Sequence, residues 1–155
     1  MKNVIILCSG GLDSVVTAHY VRKKLKYDKM TLLFFNYGQK SLDAERKSVL
    51  KCTDELNVGF REIKLPELQK LSTSLINIEG KSRKLSRKEL RNTKKESEKW
   101  YIPCRNLIFL SYALSLGESE FVKNRIKNDI FTGFKNEGKE SFPDTTPEFA
   151  GLMNK

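Results

Sequence analysis

The sequence predicts an α/β fold, a parallel sheet with helices packed on both faces, and three observations carry that expectation. The run Val4 to Cys8 is apolar without alternation, as a strand covered on both sides should be. It stops at Ser9-Gly10-Gly11, and a helical pattern begins at Asp13-Ser14. Strand-like and helix-like segments then alternate with short links, which implies parallel strands joined by right-handed crossovers.

Each element has its own signal. After the first strand, a helix from Asp13 to about Lys26 carries Val15, Ala18, Val21 and Leu25 at helical spacing, with Asp13 or Ser14 as its cap. His19 lies off that stripe and reads as a surface or packing histidine, and Cys8 as a small buried core residue. Met30 to Phe35 is the second strand, followed by the loop Asn36-Tyr37-Gly38-Gln39 and a helix from Ser41 to Leu56, with Leu42, Val49, Cys52 and Leu56 inward. Phe60 to Leu65 is a third strand, and Pro66 opens a short helix toward Leu75. Leu107 to Leu116 is apolar almost all round and is expected to be a buried helix, with Arg105 and Asn106 at its start and Glu118 to Lys127 as a charged extension. Asp129 to Thr132 is a fourth strand ended by Gly133, a polar loop follows to Thr146, and a helix runs from Pro147 to the end.

A chain of 155 residues is long enough for one domain with a sheet and covering helices. No stretch approaches the roughly 20 apolar residues that span a bilayer. Met1-Lys2-Asn3 leads directly into the first strand, so no signal peptide and a cytoplasmic location are expected. Cys8, Cys52 and Cys104 form no C-x-x-C pair, and with His19 as the single histidine they make neither a zinc cluster nor a disulfide framework. More than half of the net charge of +10 sits between Gly80 and Lys99, where nine basic residues face Glu89, Glu96 and Glu98. The stretch 76–100 is expected to be a mobile, solvated insertion. A basic lid for a polyanion remains the functional alternative, and direct nucleic-acid binding is not expected because no aromatic residue interrupts the charges.

The turn after the first strand is where chemistry should lie. Two glycines permit unusual backbone angles and close approach of a ligand, and a helix start offers unpaired N–H groups and a favourable dipole to phosphate. The P-loop of the G-x-x-x-x-G-K-[ST] type is excluded because no lysine follows the glycines until Lys23, and a G-x-G-x-x-G fingerprint because no third glycine follows. In an open parallel sheet the Asn36 to Gln39 loop should lie beside this turn. Arg105 and Asn106 at a helix start suit a phosphate or carboxylate, with ordinary capping by Asn106 and a surface ion pair of Arg105 as the plain alternative.

Ser9-Gly10-Gly11-Leu12-Asp13-Ser14 matches the S-G-G-x-D-S signature of the PP-loop ATP pyrophosphatases, and the chain resembles that superfamily. With F-N-Y-G-Q-K, Y-I-P-C-R-N-L-I-F-L, T-G-F-K-N-E and F-P-D-T-T-P-E-F following in order, the chain resembles the 7-cyano-7-deazaguanine synthase family over nearly its whole length. The resemblance implies one nucleotide-binding domain over 1–155 with an adenine nucleotide alpha hydrolase-like, Rossmann-like sheet. It also implies ATP and magnesium, and the conversion of 7-carboxy-7-deazaguanine and ammonia to 7-cyano-7-deazaguanine through adenylation of the carboxylate, on the way to queuosine or archaeosine. It further implies that Ser9, Gly10, Gly11, Leu12, Asp13 and Ser14 bind the nucleotide's phosphates and help place magnesium. Tyr37, Gly38 and Gln39 would border the nucleotide. Asp13, Arg105 and Asn106 would be catalytic, and Gly133, Glu137 and Asp144 would line the deazaguanine pocket. A homodimer is compatible with the family.

The pattern departs from the family in places. Family members usually continue several tens of residues beyond Lys155, through a four-cysteine zinc site that Cys8, Cys52 and Cys104 do not replace, so a truncated form is expected and Zn2+ would lack its ligands here. Gly138 stands where an acidic residue is common, and Thr145-Thr146 where Cys-Arg is common. Two other functions fit the motif, another PP-loop ATP pyrophosphatase acting on RNA and a truncated, non-catalytic nucleotide-binding protein.

Overall fold

The structure, a computed structural model, describes residues 1–71, 74, 101–135 and 142–154. The basic stretch 76–100 and Glu137 lie outside the described residues. Four strands, β1 (Asn3–Leu7), β2 (Lys29–Asn36), β3 (Gly59–Lys64) and β4 (Asn128–Thr132), form one sheet in the order β3-β2-β1-β4, with every neighbouring pair parallel. Among the described residues the helices are α1 (Leu12–Lys23), α2 (Leu42–Leu56), α3 (Pro66–Leu71), α4 (Arg105–Asn124) and α5 (Pro147–Met153), with a 3-10 turn at Pro143–Thr145 before α5.

Strand alternation sends successive side chains to opposite faces, and both faces of β1 are covered. Val4, Ile6 and Cys8 pack with Ala18 and Val21 of α1 and Val49, Cys52 and Leu56 of α2. Ile5 and Leu7 pack on the other side with Leu68 of α3 and Leu110 and Ala113 of α4. Burial on both faces explains why Val4 to Cys8 carries no polar residue, and each such side chain contributes about 1.5–3 kcal/mol relative to exposure. The doubly covered parallel sheet is the fold class that the alternation predicts.

Three local readings are corrected. Neither Asp13 nor Ser14 caps α1: Gly11 is its N-cap, with no side-chain hydrogen bond to the helix start, because the chain is already helical at Leu12. That helix ends at Lys23, and Lys26 adopts a left-handed φ of 55° in the link to β2. The segment Leu107 to Leu116 is helical and runs on into its charged extension, but it is not buried almost all round. It belongs to one 20-residue helix, α4, whose buried residues are Asn106, Leu110 and Ala113, while Leu107, Tyr112 and Leu114 are exposed. Its apolar composition therefore overstates its burial: only one stripe of it meets the sheet. No helix among the described residues is long and apolar enough to cross a membrane.

The chain runs β1, β2, β3 toward one edge and then returns to place β4 on the far side of β1. Leu7 is level with Leu33 of β2 and Thr132 of β4, so the carboxyl ends of three strands open at one rim. The reversal of strand order between β1 and β4 leaves a crevice there, the place where open α/β sheets bind ligands.

Candidate functional site

That crevice holds a cavity of about 550 Å³, within the usual range for a small-molecule site. Its lining comes from the β1–α1 turn and the start of α1 (Ser9, Asp13, Ser14), the β2–α2 loop and first turn of α2 (Tyr37, Gln39, Ser41, Glu45), the start of α4 (Arg105, Asn106, Phe109), the end of β4 (Gly133, Phe134, Lys135) and the turn before α5 (Phe142, Thr145). Segments far apart in sequence meet because all follow, or precede, the same sheet rim.

The first wall is built from backbone. Gly10 has a φ of 78°, and a Cβ there would lie 2.4 Å from the Glu45 carbonyl oxygen, so both conformation and packing demand glycine. Gly11 has a φ of −74°, and the nearest atom to a Cβ would be Ser9 Oγ at 3.5 Å. Neither its backbone angles nor its protein neighbours require glycine, and the space over it is open. The Val15 N–H donates to the Gly11 carbonyl at 3.1 Å, so the N–H groups of Leu12, Asp13 and Ser14 precede the helical ladder. With no side chain capping them, they and the helix dipole form an anion-binding end. Ser14 is buried and its hydroxyl donates to the Gly11 carbonyl at 2.9 Å, while the Asp13 side chain is exposed at the rim. Gly133 closes this wall: a Cβ there would lie 2.8 Å from the Asp13 carbonyl, so the end of β4 touches the start of α1.

The second wall is built from side chains. The Asn106 N–H donates to Asp144 Oδ2 at 3.0 Å, and Asn106 Nδ2 donates to the Asp144 carbonyl at 3.1 Å. Both residues are buried. The cap of α4 is thus Asp144, reached from 38 residues away, and not Asn106. Asp144 is absent from the cavity lining and acts behind it. Cys104, before the helix, holds a left-handed φ of 59°. Arg105 forms no ion pair among the described residues, so the surface pair that its position allowed is not made. Its Nη1 reaches Tyr37 Oη at 3.5 Å, and its guanidinium lies 5.9 Å from the Tyr37 ring centre and 6.0 Å from that of Phe109. Burial pushes the Tyr37 hydroxyl's pKa above its ordinary value, and the nearby Arg105 charge opposes that rise. Phe35 and Phe109 stack with centroids 4.0 Å apart, giving the cavity a flat apolar floor.

The loop between these walls is braced internally. Gln39 Nε2 donates to the Phe35 carbonyl and to Glu45 Oε2, both at 2.9 Å, and its Oε1 accepts the Tyr37 N–H at 3.0 Å. Gly38 faces away, toward Gln69 of α3, where a Cβ would lie 2.2 Å from the side-chain amide. Of the residues singled out from sequence, Ser9, Asp13, Ser14, Tyr37, Gln39, Arg105, Asn106 and Gly133 line the cavity, while Gly10, Gly11, Leu12, Gly38 and Asp144 do not. Glu137 lies outside the described residues. Sequence reasoning missed Ser41, Glu45, Phe109 and Phe142; the stacked aromatics carried no signal apart from their apolar character.

The donor set suits a polyphosphate: three helix-start N–H groups, a guanidinium, and one exposed carboxylate, Asp13, able to share a magnesium ion with phosphate oxygens. It does not suit zinc. Among the described residues no group of three His, Cys, Asp or Glu could hold a metal ion, and Cys8 and Cys52 are buried while Cys104 is exposed. Burial raises the Cys8 thiol's pKa, and raises that of Cys52 to about 11, the opposite of what a thiolate ligand or nucleophile requires.

A family model described as queuosine biosynthesis protein QueC matches residues 3–155. The 7-cyano-7-deazaguanine synthase of Methanococcus maripaludis is 36% identical over 157 residues, an alignment that covers 100% of this chain and 64% of that protein. That of Pyrococcus horikoshii is 33% identical over 161 residues, with 100% and 64% covered. The chain therefore spans about 64% of the length of these relatives. Among solved structures, NMN synthetase from Francisella tularensis aligns with 99% of this chain and 61% of its own at 15% identity and a TM-score of 0.45, a likeness too loose to bear on function.

Proposed function

The chain belongs to the family of queuosine biosynthesis protein QueC, and from that premise we propose that it converts 7-carboxy-7-deazaguanine and ammonia to 7-cyano-7-deazaguanine, using ATP to adenylate the carboxylate. The observation that carries this reading is the uncapped start of α1 at the reversal of strand order, beside a glycine that neither conformation nor packing requires. A carboxylate cannot lose oxide to ammonia. Attack of its oxygen on the α-phosphorus of ATP breaks the bond to the β-phosphate and releases pyrophosphate, leaving AMP as a good leaving group on the acyl carbon. Ammonia then displaces AMP and gives up a proton to form the amide. The amide oxygen attacks the α-phosphorus of a second ATP, releasing a second pyrophosphate, and the C–O bond to that AMP breaks as the nitrogen loses its two protons, leaving the nitrile.

In this reading the residues divide the work. The N–H groups at the α1 start hold the departing diphosphate, and Asp13 would help hold magnesium, which would supply charge neutralisation. Arg105 faces the α-phosphate or the substrate carboxylate as negative charge gathers between them. Tyr37 and Gln39 border the nucleotide, and Gly133 with the aromatic floor receives the planar deazaguanine. The partners are small molecules of the cytoplasm: ATP, ammonia and the carboxylated deazaguanine.

The test is to incubate the chain with ATP, magnesium, ammonium and the carboxylated deazaguanine and to follow AMP and the nitrile by mass spectrometry. Both products are expected. Asp13→Ala should abolish them while leaving the melting temperature unchanged, because that side chain is exposed. Absence of both products from the unaltered chain, or AMP release undiminished in the Asp13 variant, would overturn the assignment.

A further inference from the structure

We propose that Ser48, on α2 and outside the S-G-G-L-D-S motif, is a positioning residue that sets the direction of the anion-binding turn. The inference rests on the reading of that turn as the grip for the diphosphate of ATP. Ser48 does not line the cavity, so it can act only through the turn itself. Its Oγ donates to the Gly10 carbonyl oxygen at 2.7 Å across 38 residues of sequence.

The consequence follows from peptide geometry. In a planar trans peptide the C=O and N–H point in opposite directions, and no peptide bond among the described residues is cis. A Gly10 carbonyl held toward α2 therefore turns the Gly11 N–H to the other side, where it meets Ser9 Oγ at 3.4 Å. That contact is too long to compete with an anionic oxygen, so the N–H is available to a ligand. Gly10 sits against the backbone of α2, 2.4 Å separating its missing Cβ from the Glu45 carbonyl oxygen, so α2 is the surface on which the turn rests. Two adjacent glycines resist rotation of the peptide between them less than other residues do. Without the Ser48 hydroxyl that peptide is free to rotate and would present a carbonyl oxygen to phosphate, replacing attraction with repulsion.

The probe is magnesium pyrophosphate, titrated by calorimetry into the unaltered chain, Ser48→Ala and Ser48→Thr, with the Gly11 amide followed by nitrogen-15 NMR in the free proteins. Loss of one orienting hydrogen bond should weaken pyrophosphate binding roughly 3- to 10-fold in Ser48→Ala, with a displaced or broadened Gly11 resonance. Ser48→Thr, which keeps the hydroxyl, should bind within about twofold of the unaltered chain. An affinity in Ser48→Ala equal to the unaltered chain's, with the Gly11 resonance unmoved, would overturn the proposal and leave Ser48 as a plain tie between turn and helix. Equal weakening in the Thr variant would also overturn it, since packing and not the hydroxyl would then govern binding. Failure of the unaltered chain to bind pyrophosphate would instead bring down the reading of the turn itself.

Discussion

The two walls of the cavity are made differently. The wall formed by the β1–α1 turn and the end of β4 presents main-chain groups, and its geometry depends on the absence of side chains at Gly10 and Gly133. The wall at the start of α4 presents side chains, and its geometry depends on one carboxylate, Asp144, that clamps the helix end through Asn106. At Gly10 and Gly133 the backbone wall tolerates no added Cβ, whereas a side-chain wall can lose a member and keep its outline. The first suits the fixed shape of a phosphate, and the second suits a group whose charge develops during reaction.

Replacing Gly10 by alanine should have the largest effect, since the Cβ would strike the backbone of α2 and φ is left-handed. Destabilisation of about 3 kcal/mol or more in urea titrations is expected, with loss of pyrophosphate binding. A variant as stable as the unaltered chain would erase the distinction between the walls. Asp144→Ala removes the cap and strands the buried Asn106 N–H, an expected cost of about 1–3 kcal/mol by the same titration. Asp144→Asn, which keeps an acceptor oxygen, should recover much of it; no recovery would mean that charge and not the hydrogen bond holds α4. Arg105→Ala should reduce AMP formation at least tenfold and stability by less than about 1 kcal/mol, because the guanidinium has no carboxylate partner among the described residues. Parallel losses of activity and stability would make Arg105 another structural member of the wall.

The smallest effect is on pH dependence, away from the cavity. Arg46 bonds to both Glu62 oxygens, at 2.7 and 2.8 Å, and holds that carboxyl below its ordinary pKa. A folded-state value below the unfolded one gives stability that is complete above the unfolded carboxylate pKa and is lost as pH falls through the folded value. Acid titration of the melting temperature should therefore show a loss that Glu62→Gln flattens. Equal acid slopes in the two proteins would remove Glu62 from that account.

How much was legible followed from how local each cause is. The turn Ser9 to Ser14 declared itself because its glycines, its serines and its place between strand and helix are consecutive, and the doubly apolar β1 gave the parallel sheet. Asp144 could be connected with the site but not with its role. A residue that caps a helix from 38 positions away leaves no mark in the local pattern. The burial of α4 departs from its composition for a related reason: hydropathy reports what a face could bury, not what stands opposite it. Leu107, Tyr112 and Leu114 are apolar yet exposed, since the sheet meets only the stripe through Leu110 and Ala113.

The amino-acid order by itself determined the alternation of strands and helices and the diglycine turn, because these depend on neighbours within a few residues. The packing of the chain alone decided which donors face the cavity. Where Ser48 meets Gly10, and Asp144 meets Asn106, the direction of a peptide or a helix end is set by hydrogen bonds between distant segments. Such bonds exist only once the sheet has brought those segments to the same rim.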